Sequence, residues 1–311
     1  AGGRPGLPCT SPPHRPSARC PRLARAMTAS VRPPPRAPPH TAKTPDRAKQ
    51  ARAVAVPRVV RPRLRLARAD PVLKGASVRE WLGAECDGFW GMQAVRPPTW
   101  GDIQGAVDGI YDARAFGEER SVSVDVPVGA GREDGVSLAA ALRASAARLV
   151  EPLAGRGLPA GFAEQVREDA EDIGVAVASL LPAADRLSLK LELMRYNACL
   201  RWHQDNYVAR AIVSYNCCGT EYIHHDHVDF WELNNCGNND CVVRDRAQVL
   251  QAGVGDMFLV KGKLFPGVAT GLVHRSPDPV YHADGVTAKT RLVLKVDVYG
   301  PPDAYVLQIA R

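Results

Sequence analysis

A switch in hydrophobic period at Asp185 constrains this chain most. Leu187-Ser188-Leu189-Lys190-Leu191-Glu192-Leu193 alternates cleanly, the pattern of a half-buried strand. Further strands are predicted over 207–215, 220–223, 241–250, 256–261, 270–274 and 290–299. Turn signals separate them at Cys218-Gly219, Asn234 to Asn239, Gly253 to Asp256, Gly262, Pro266-Gly267 and Pro277 to Pro279. Many short strands at this spacing predict a barrel or sandwich over 183–311.

Residues 73–182 read instead as mainly helical, packing on that barrel. Ser77 is placed to cap a short helix through Trp81-Leu82, and Asp102 another carrying Ile103, Val107, Ile110 and Tyr111. Ser137 opens an alanine-rich helix with Leu138, Leu142, Leu149 and Val150 on it. Pro159 stands near the start of a longer one with Phe162, Val166, Ala170, Ile173 and Val177 on one stripe, ending at Pro182. The fold class expected is therefore α+β, mainly β, with N-terminal helices.

Charge divides the chain. Residues 1–70 carry 14 Arg and 2 Lys against Asp46 and Asp70, while the remainder carries 24 bases against 31 acids. The basic character belongs to a leader, and the acidic remainder argues against a nucleic-acid partner. Residues 1–70 also hold 14 of the 26 prolines, so the leader (1–72) is expected to be disordered. From Met27 onward its composition suits an organelle transit peptide, plastid or mitochondrial, against the alternative of a plain basic tail. Residues 1–26 read as upstream translated sequence or a fragment edge. With no secretory apolar segment and no regular spacing among eight cysteines, an intracellular, reducing compartment is expected. No apolar run is long enough to span a membrane.

The chemistry-bearing motif is His203-x-Asp205 with His274. Residues two apart on an extended strand share a face. Two imidazoles and one carboxylate can hold a single metal ion and leave coordination positions open, the facial arrangement of non-haem Fe(II) sites. On the last strand, Leu292, Leu294 and Val296 form one face and Arg291, Val293, Lys295 and Asp297 the other. If helices cover the apolar face, Arg291 points into the barrel, where its planar fork suits a carboxylate.

The order of Tyr196, His203-x-Asp205, Ser214-Tyr215-Asn216, Gly219-Thr220-Glu221-Tyr222, Gly255-Asp256, His274-Arg275-Ser276-Pro277 and Arg291-Leu292-Val293-Leu294 resembles the Fe(II)/2-oxoglutarate dioxygenase superfamily, its prolyl-hydroxylase-like members in particular. Cys199, His203, Asp205, Arg210, Tyr215, Gly219-Thr220, Lys261-Gly262 and His274 to Pro277 are similar to an uncharacterised domain-of-unknown-function family best represented in bacteria. The resemblance covers about residues 165–300 and implies a double-stranded β-helix (a jelly-roll or cupin-like barrel). It implies that His203, Asp205 and His274 ligate Fe(II) and act as the catalytic set, and that 2-oxoglutarate chelates the ion with its far carboxylate on Arg291. Arg291 follows His274 by 17 residues, further than is usual in the superfamily, and Val293 stands where many members carry Ser or Thr. Arg210 and Lys261 are alternative carboxylate partners; Tyr215 and Tyr196 are candidate hydroxyl donors to it.

Two other readings compete with an Fe(II) dioxygenase acting on an unidentified small molecule or protein side chain. One is a non-catalytic cupin-like barrel that binds a metal or ligand. The other is a zinc-stabilised interaction module built on His224, His225, His227, Cys236 and Cys241, whose spacing matches no tight Cys-x2-Cys knuckle.

Overall fold

The computed structural model describes residues 70–128, 137–196 and 198–300. The leader, with its targeting and disorder expectations up to residue 69, lies outside the described residues. No helix of the described residues is long and apolar enough to cross a membrane.

Among the described residues, ten strands form two sheets. The large sheet holds seven: β1 (Val72–Gly75), β2 (Gly91–Ala94), β3 (Ser121–Pro127), β4 (Arg186–Met194), β5 (Ala209–Ser214), β8 (Met257–Lys261) and β10 (Arg291–Tyr299). Their spatial order is β1-β2-β8-β5-β10-β4-β3. The small sheet runs β7 (Leu250–Gln251), β6 (Glu221–Ile223), β9 (Val273–Arg275), and an isolated bridge between His203 and His274 extends it past β9. From β4 onward, extended segments alternate between the sheets: β4 large, His203 small, β5 large, β6 and β7 small, β8 large, β9 small, β10 large.

Three helices flank the large sheet's strands in sequence: α1 (Gln104–Asp112), α2 (Leu138–Val150) and α3 (Phe162–Leu180). Ser77 caps a short 3-10 turn by accepting from Arg79 N–H, Asp102 accepts from Gln104 N–H, and Ser137 caps α2 by accepting from Ala140 N–H, the side-chain roles expected of these residues. Gly161, at φ +81°, turns the chain into α3, a conformation glycine adopts without a Cβ penalty.

The core divides along the large sheet. On one face, Leu292, Leu294, Val296 and Val298 of β10 and Leu187, Leu189 and Leu191 of β4 pack with Leu142 and Leu149 of α2 and Phe162, Val166 and Ile173 of α3. On the other, Ile212, Phe258, Val260 and Val293 meet Tyr222, Ala252 and Leu272, so the small sheet and its flanks cover that face. The apolar alternation of β10 thus turns toward the helices, and the polar alternation turns inward.

Within residues 73–182, expected to be mainly helical, β1, β2 and β3 lie alongside the helices and join the large sheet. The strand expected over 241–250 needs correction, because it is replaced. Two short helices, α4 (Phe230–Asn235) and α5 (Asn239–Val242), lead into a 3-10 turn at Arg246–Gln248 and the two-residue β7. Asn238 accepts from Asp240 N–H and Asp245 from Ala247 N–H. These local caps offer the backbone an alternative that outweighs the strand preference of Val242 and Val243.

Candidate metal centre

His203 and His274 face each other as an antiparallel hydrogen-bonded pair. His203 N–H donates to the His274 carbonyl at 3.0 Å, and His274 N–H returns the bond at 3.0 Å. Residues paired in this way project their side chains to one face, and the imidazole centroids lie 4.4 Å apart. Asp205, two residues on, completes the group. His203 Nε2 is 3.6 Å from Asp205 Oδ1 and His274 Nε2 is 3.7 Å from Asp205 Oδ2. The donor atoms of the three lie within 4.8 Å of one another, compatible with bonds of about 2.0–2.2 Å to a shared ion.

The ring orientations are fixed from behind. His203 Nδ1 sits 2.8 Å from the Arg201 carbonyl and His274 Nδ1 3.0 Å from the Leu272 carbonyl. A carbonyl only accepts, so each Nδ1 carries a proton, and each Nε2 is left as the ring nitrogen turned to the point shared with Asp205, where it can ligate when unprotonated. Complete burial pushes the His274 imidazole down to about 4, which keeps it neutral and able to ligate. Burial works to raise the Asp205 carboxyl, but the two imidazoles beside it and the Arg210 guanidinium outweigh it and hold the group far below the usual carboxylate range. Asp205 Oδ2 is buried without a hydrogen-bond partner, and a bound cation would satisfy it. The donor chemistry and this orphaned oxygen both fit a divalent metal.

Arg291 opens the same cleft, which His203, Arg210, Thr220, His274, Val293 and Lys295 also line. Its Nε donates to the Cys218 carbonyl and its Nη2 to Ser214 Oγ, each at 3.0 Å. Its Nη1 is buried with no partner, and no carboxylate of a described residue pairs with it. The other cations of the cleft are neutralised: Arg210 by Asp297 and Asp205, Lys295 by Glu192, Arg275 by Glu221 and Asp278. Arg291 alone among these is a buried charge lacking an acid.

The remaining candidates sit elsewhere or are already engaged. Tyr215 points to the helix side, packs edge-on against Trp100 and Phe162, and donates its hydroxyl to Asp169 at 2.8 Å. Tyr196 is exposed and its hydroxyl accepts from Ala288 N–H. Lys261 is buried and donates to the Cys86 carbonyl at 2.6 Å. Neither Cys236 nor Cys241 joins His224, His225 or His227 in a metal-holding group among the described residues; His225 instead stacks on Trp90 and bonds the Gly271 carbonyl. Ser214 lies in a quoted motif, but the sequence gives it no role. It pairs with Val293 across β5 and β10, and its Oγ accepts from Arg291 Nη2.

A family model described as "Protein of unknown function (DUF1826)" matches residues 132–297. No curated protein matches the chain. Among solved structures, a putative 2OG-Fe(II) oxygenase family protein from Caulobacter crescentus is similar at 13% identity and a TM-score of 0.35, covering 74% of this chain and 86% of that one. A Pseudomonas putida prolyl-4-hydroxylase is similar at 10% identity and a TM-score of 0.30, covering 73% and 98%. Likenesses this distant carry no weight for the activity.

Proposed function

The chain belongs to the DUF1826 family of proteins of unknown function, and we propose that it is a non-haem Fe(II)-dependent dioxygenase that couples 2-oxoglutarate decarboxylation to hydroxylation of a substrate. The observation that carries this reading is the pairing of a two-histidine, one-carboxylate group with a buried arginine that has no acid of its own. The first suits Fe(II) with open positions; the second suits one end of a dicarboxylate. The alternation of β4 to β10 between two facing sheets supports a double-stranded β-helix.

His203 and His274 would hold the ion through Nε2 and Asp205 through its carboxylate. Bound there, Fe(II) supplies a Lewis acid and a one-electron centre where 2-oxoglutarate and dioxygen can meet. Arg291 would take the far carboxylate of 2-oxoglutarate on its unpartnered Nη1, with Ser214 fixing the guanidinium plane. Ile212 and Val293 give the cleft apolar walls that limit water around the charged groups.

The test is Fe(II)-dependent conversion of 2-oxoglutarate to succinate by the wild type and by His203→Ala. Turnover that is lost in the variant is the expected result. An intact Fe(II) complex that never consumes 2-oxoglutarate, even with a broad substrate panel, would leave only a metal-binding barrel.

A further inference from the structure

Cys217 and Cys218 are neighbours in sequence, and their sulfurs lie 3.4 Å apart. Successive side chains in extended chain point to opposite faces, so this approach requires a turn. Cys217 has φ +65°, and Cys218 N–H donates to the Asn216 carbonyl at 2.9 Å. That is a γ-turn centred on Cys217, a strained conformation for a residue with a side chain. Glycine adopts it freely, yet cysteine occupies the position.

The turn is fastened to the start of β10. Asn216 Nδ2 donates to the Thr290 carbonyl and Asn216 Oδ1 accepts from Leu292 N–H, each at 2.8 Å. Between them, the Cys218 carbonyl accepts from Arg291 Nε at 3.0 Å. Both thiols are half-buried, within reach of a small oxidant. The hydrogen bond with Cys218 lowers the Cys217 thiol against its burial, and the charges of Arg291 and Lys289 add to the effect, so Cys217 is the better nucleophile.

We propose that Cys217 and Cys218 are a dithiol modification site, closed to a vicinal disulfide by hydroperoxides, and that closure weakens the grip of Arg291 on a carboxylate ligand. The second half rests on the role given to Arg291 above; the first does not. The Cys217 thiolate attacks the terminal peroxide oxygen, the O–O bond breaks, and the departing oxygen leaves as water or an alcohol once protonated. Cys217 is then a sulfenic acid. Cys218 attacks its sulfur, the S–S bond forms, the S–O bond breaks, and the hydroxide leaves as water with the Cys218 proton. Two thiols lose two electrons and one peroxide gains them. The sulfurs must draw in from 3.4 Å to about 2.05 Å, which moves the turn that carries the Cys218 carbonyl.

The experiment treats the reduced full chain with hydrogen peroxide, alkylates the remaining thiols and locates each by peptide fragmentation. A loss of two hydrogens confined to Cys217–Cys218, reversed by dithiothreitol, with Cys199 and Cys236 still alkylated, is expected. Anaerobic binding of 2-oxoglutarate to the Mn(II)-loaded protein should weaken about tenfold on closure. Cys217→Gly keeps a residue suited to the left-handed turn, removes the thiol, and should hold its 2-oxoglutarate affinity under peroxide. Alkylation of both cysteines after treatment, or sulfinic acid at Cys217 without a disulfide, overturns the dithiol site. A disulfide that leaves 2-oxoglutarate binding unchanged overturns the coupling to Arg291. A reduced protein that binds Mn(II) but no 2-oxoglutarate overturns that coupling too, while the mass result still decides the dithiol.

Discussion

Arg210 on β5 stands directly across from Asp297 on β10 and grips it through Nε and Nη2 at 2.5 and 3.0 Å, while its Nη1 reaches to 3.4 Å from Asp205. One side chain therefore ties the floor of the large sheet to the carboxylate of the candidate metal centre. Arg210→Met leaves Asp297 without its partner in a mostly buried position. Breaking such a pair from one side should cost about 2–4 kcal/mol, read as a lower urea midpoint. Arg210→Lys keeps the charge but not the fork and should lose less.

Removing a ligand should be felt in metal affinity before anything else. His274→Ala and Asp205→Asn should each weaken Fe(II) or Co(II) binding by about 100-fold or more, since even outer partners of metal ligands are worth 10–100-fold. Anaerobic calorimetry measures this. Wild-type affinity in either variant would remove these residues from the site.

Arg291→Met separates metal from co-substrate. It should leave metal binding in place and raise the KM for 2-oxoglutarate by about 30-fold, the loss of about 2 kcal/mol expected for charge-assisted hydrogen bonds. An unchanged KM would direct attention to Arg210 as the carboxylate partner.

The sequence shows some of this and hides the rest for physical reasons. Alternation marks β4 and β10 because one face of each meets the helices and the other a polar interior. It runs equally through Val122, Val124 and Val126 of β3, but the amphipathic helices on either side dominate the reading of that region. β2 offers no alternation, since all four of its residues are buried. The triad spacing is visible, but its convergence depends on a backbone pair between segments far apart in sequence. Tyr215 fails as a ligand contact by strand parity. Arg210, Ile212 and Ser214 share the inner face of β5, so the next residue turns to the helices.

That turn makes Tyr215 part of a different network. Asp169, fully buried on α3, accepts from both Arg96 terminal nitrogens, from Tyr215 Oη and from Gln165 Nε2. Asp169→Asn removes the charge that balances Arg96 and should cost about 3 kcal/mol of stability; Tyr215→Phe should cost about 1 kcal/mol. Denaturant melts of the two variants check the ranking.

Acid sensitivity should arise from the small-sheet side. Burial pushes His225 down to about 4, outweighing its bond to Gly271, whereas the unfolded side chain titrates near its ordinary value of about 6.5. Between those values the unfolded chain binds a proton that the folded chain refuses. Stability should hold above about pH 6.5 and fall as pH drops toward 4. His225→Gln should flatten the slope in urea melts taken across that window. The residual slope in metal-free protein comes from His274, pushed down to about 4 by burial.

The reciprocal backbone bonds between His203 and His274 span 71 positions of chain. Closing a loop of that length costs on the order of 4 kcal/mol in chain entropy. The segments that must meet for the loop to close are the same ones that bring two imidazoles to one point. An ion bound there would act as a clasp on that return path, so metal depletion should loosen the small sheet well before it disturbs the helical side.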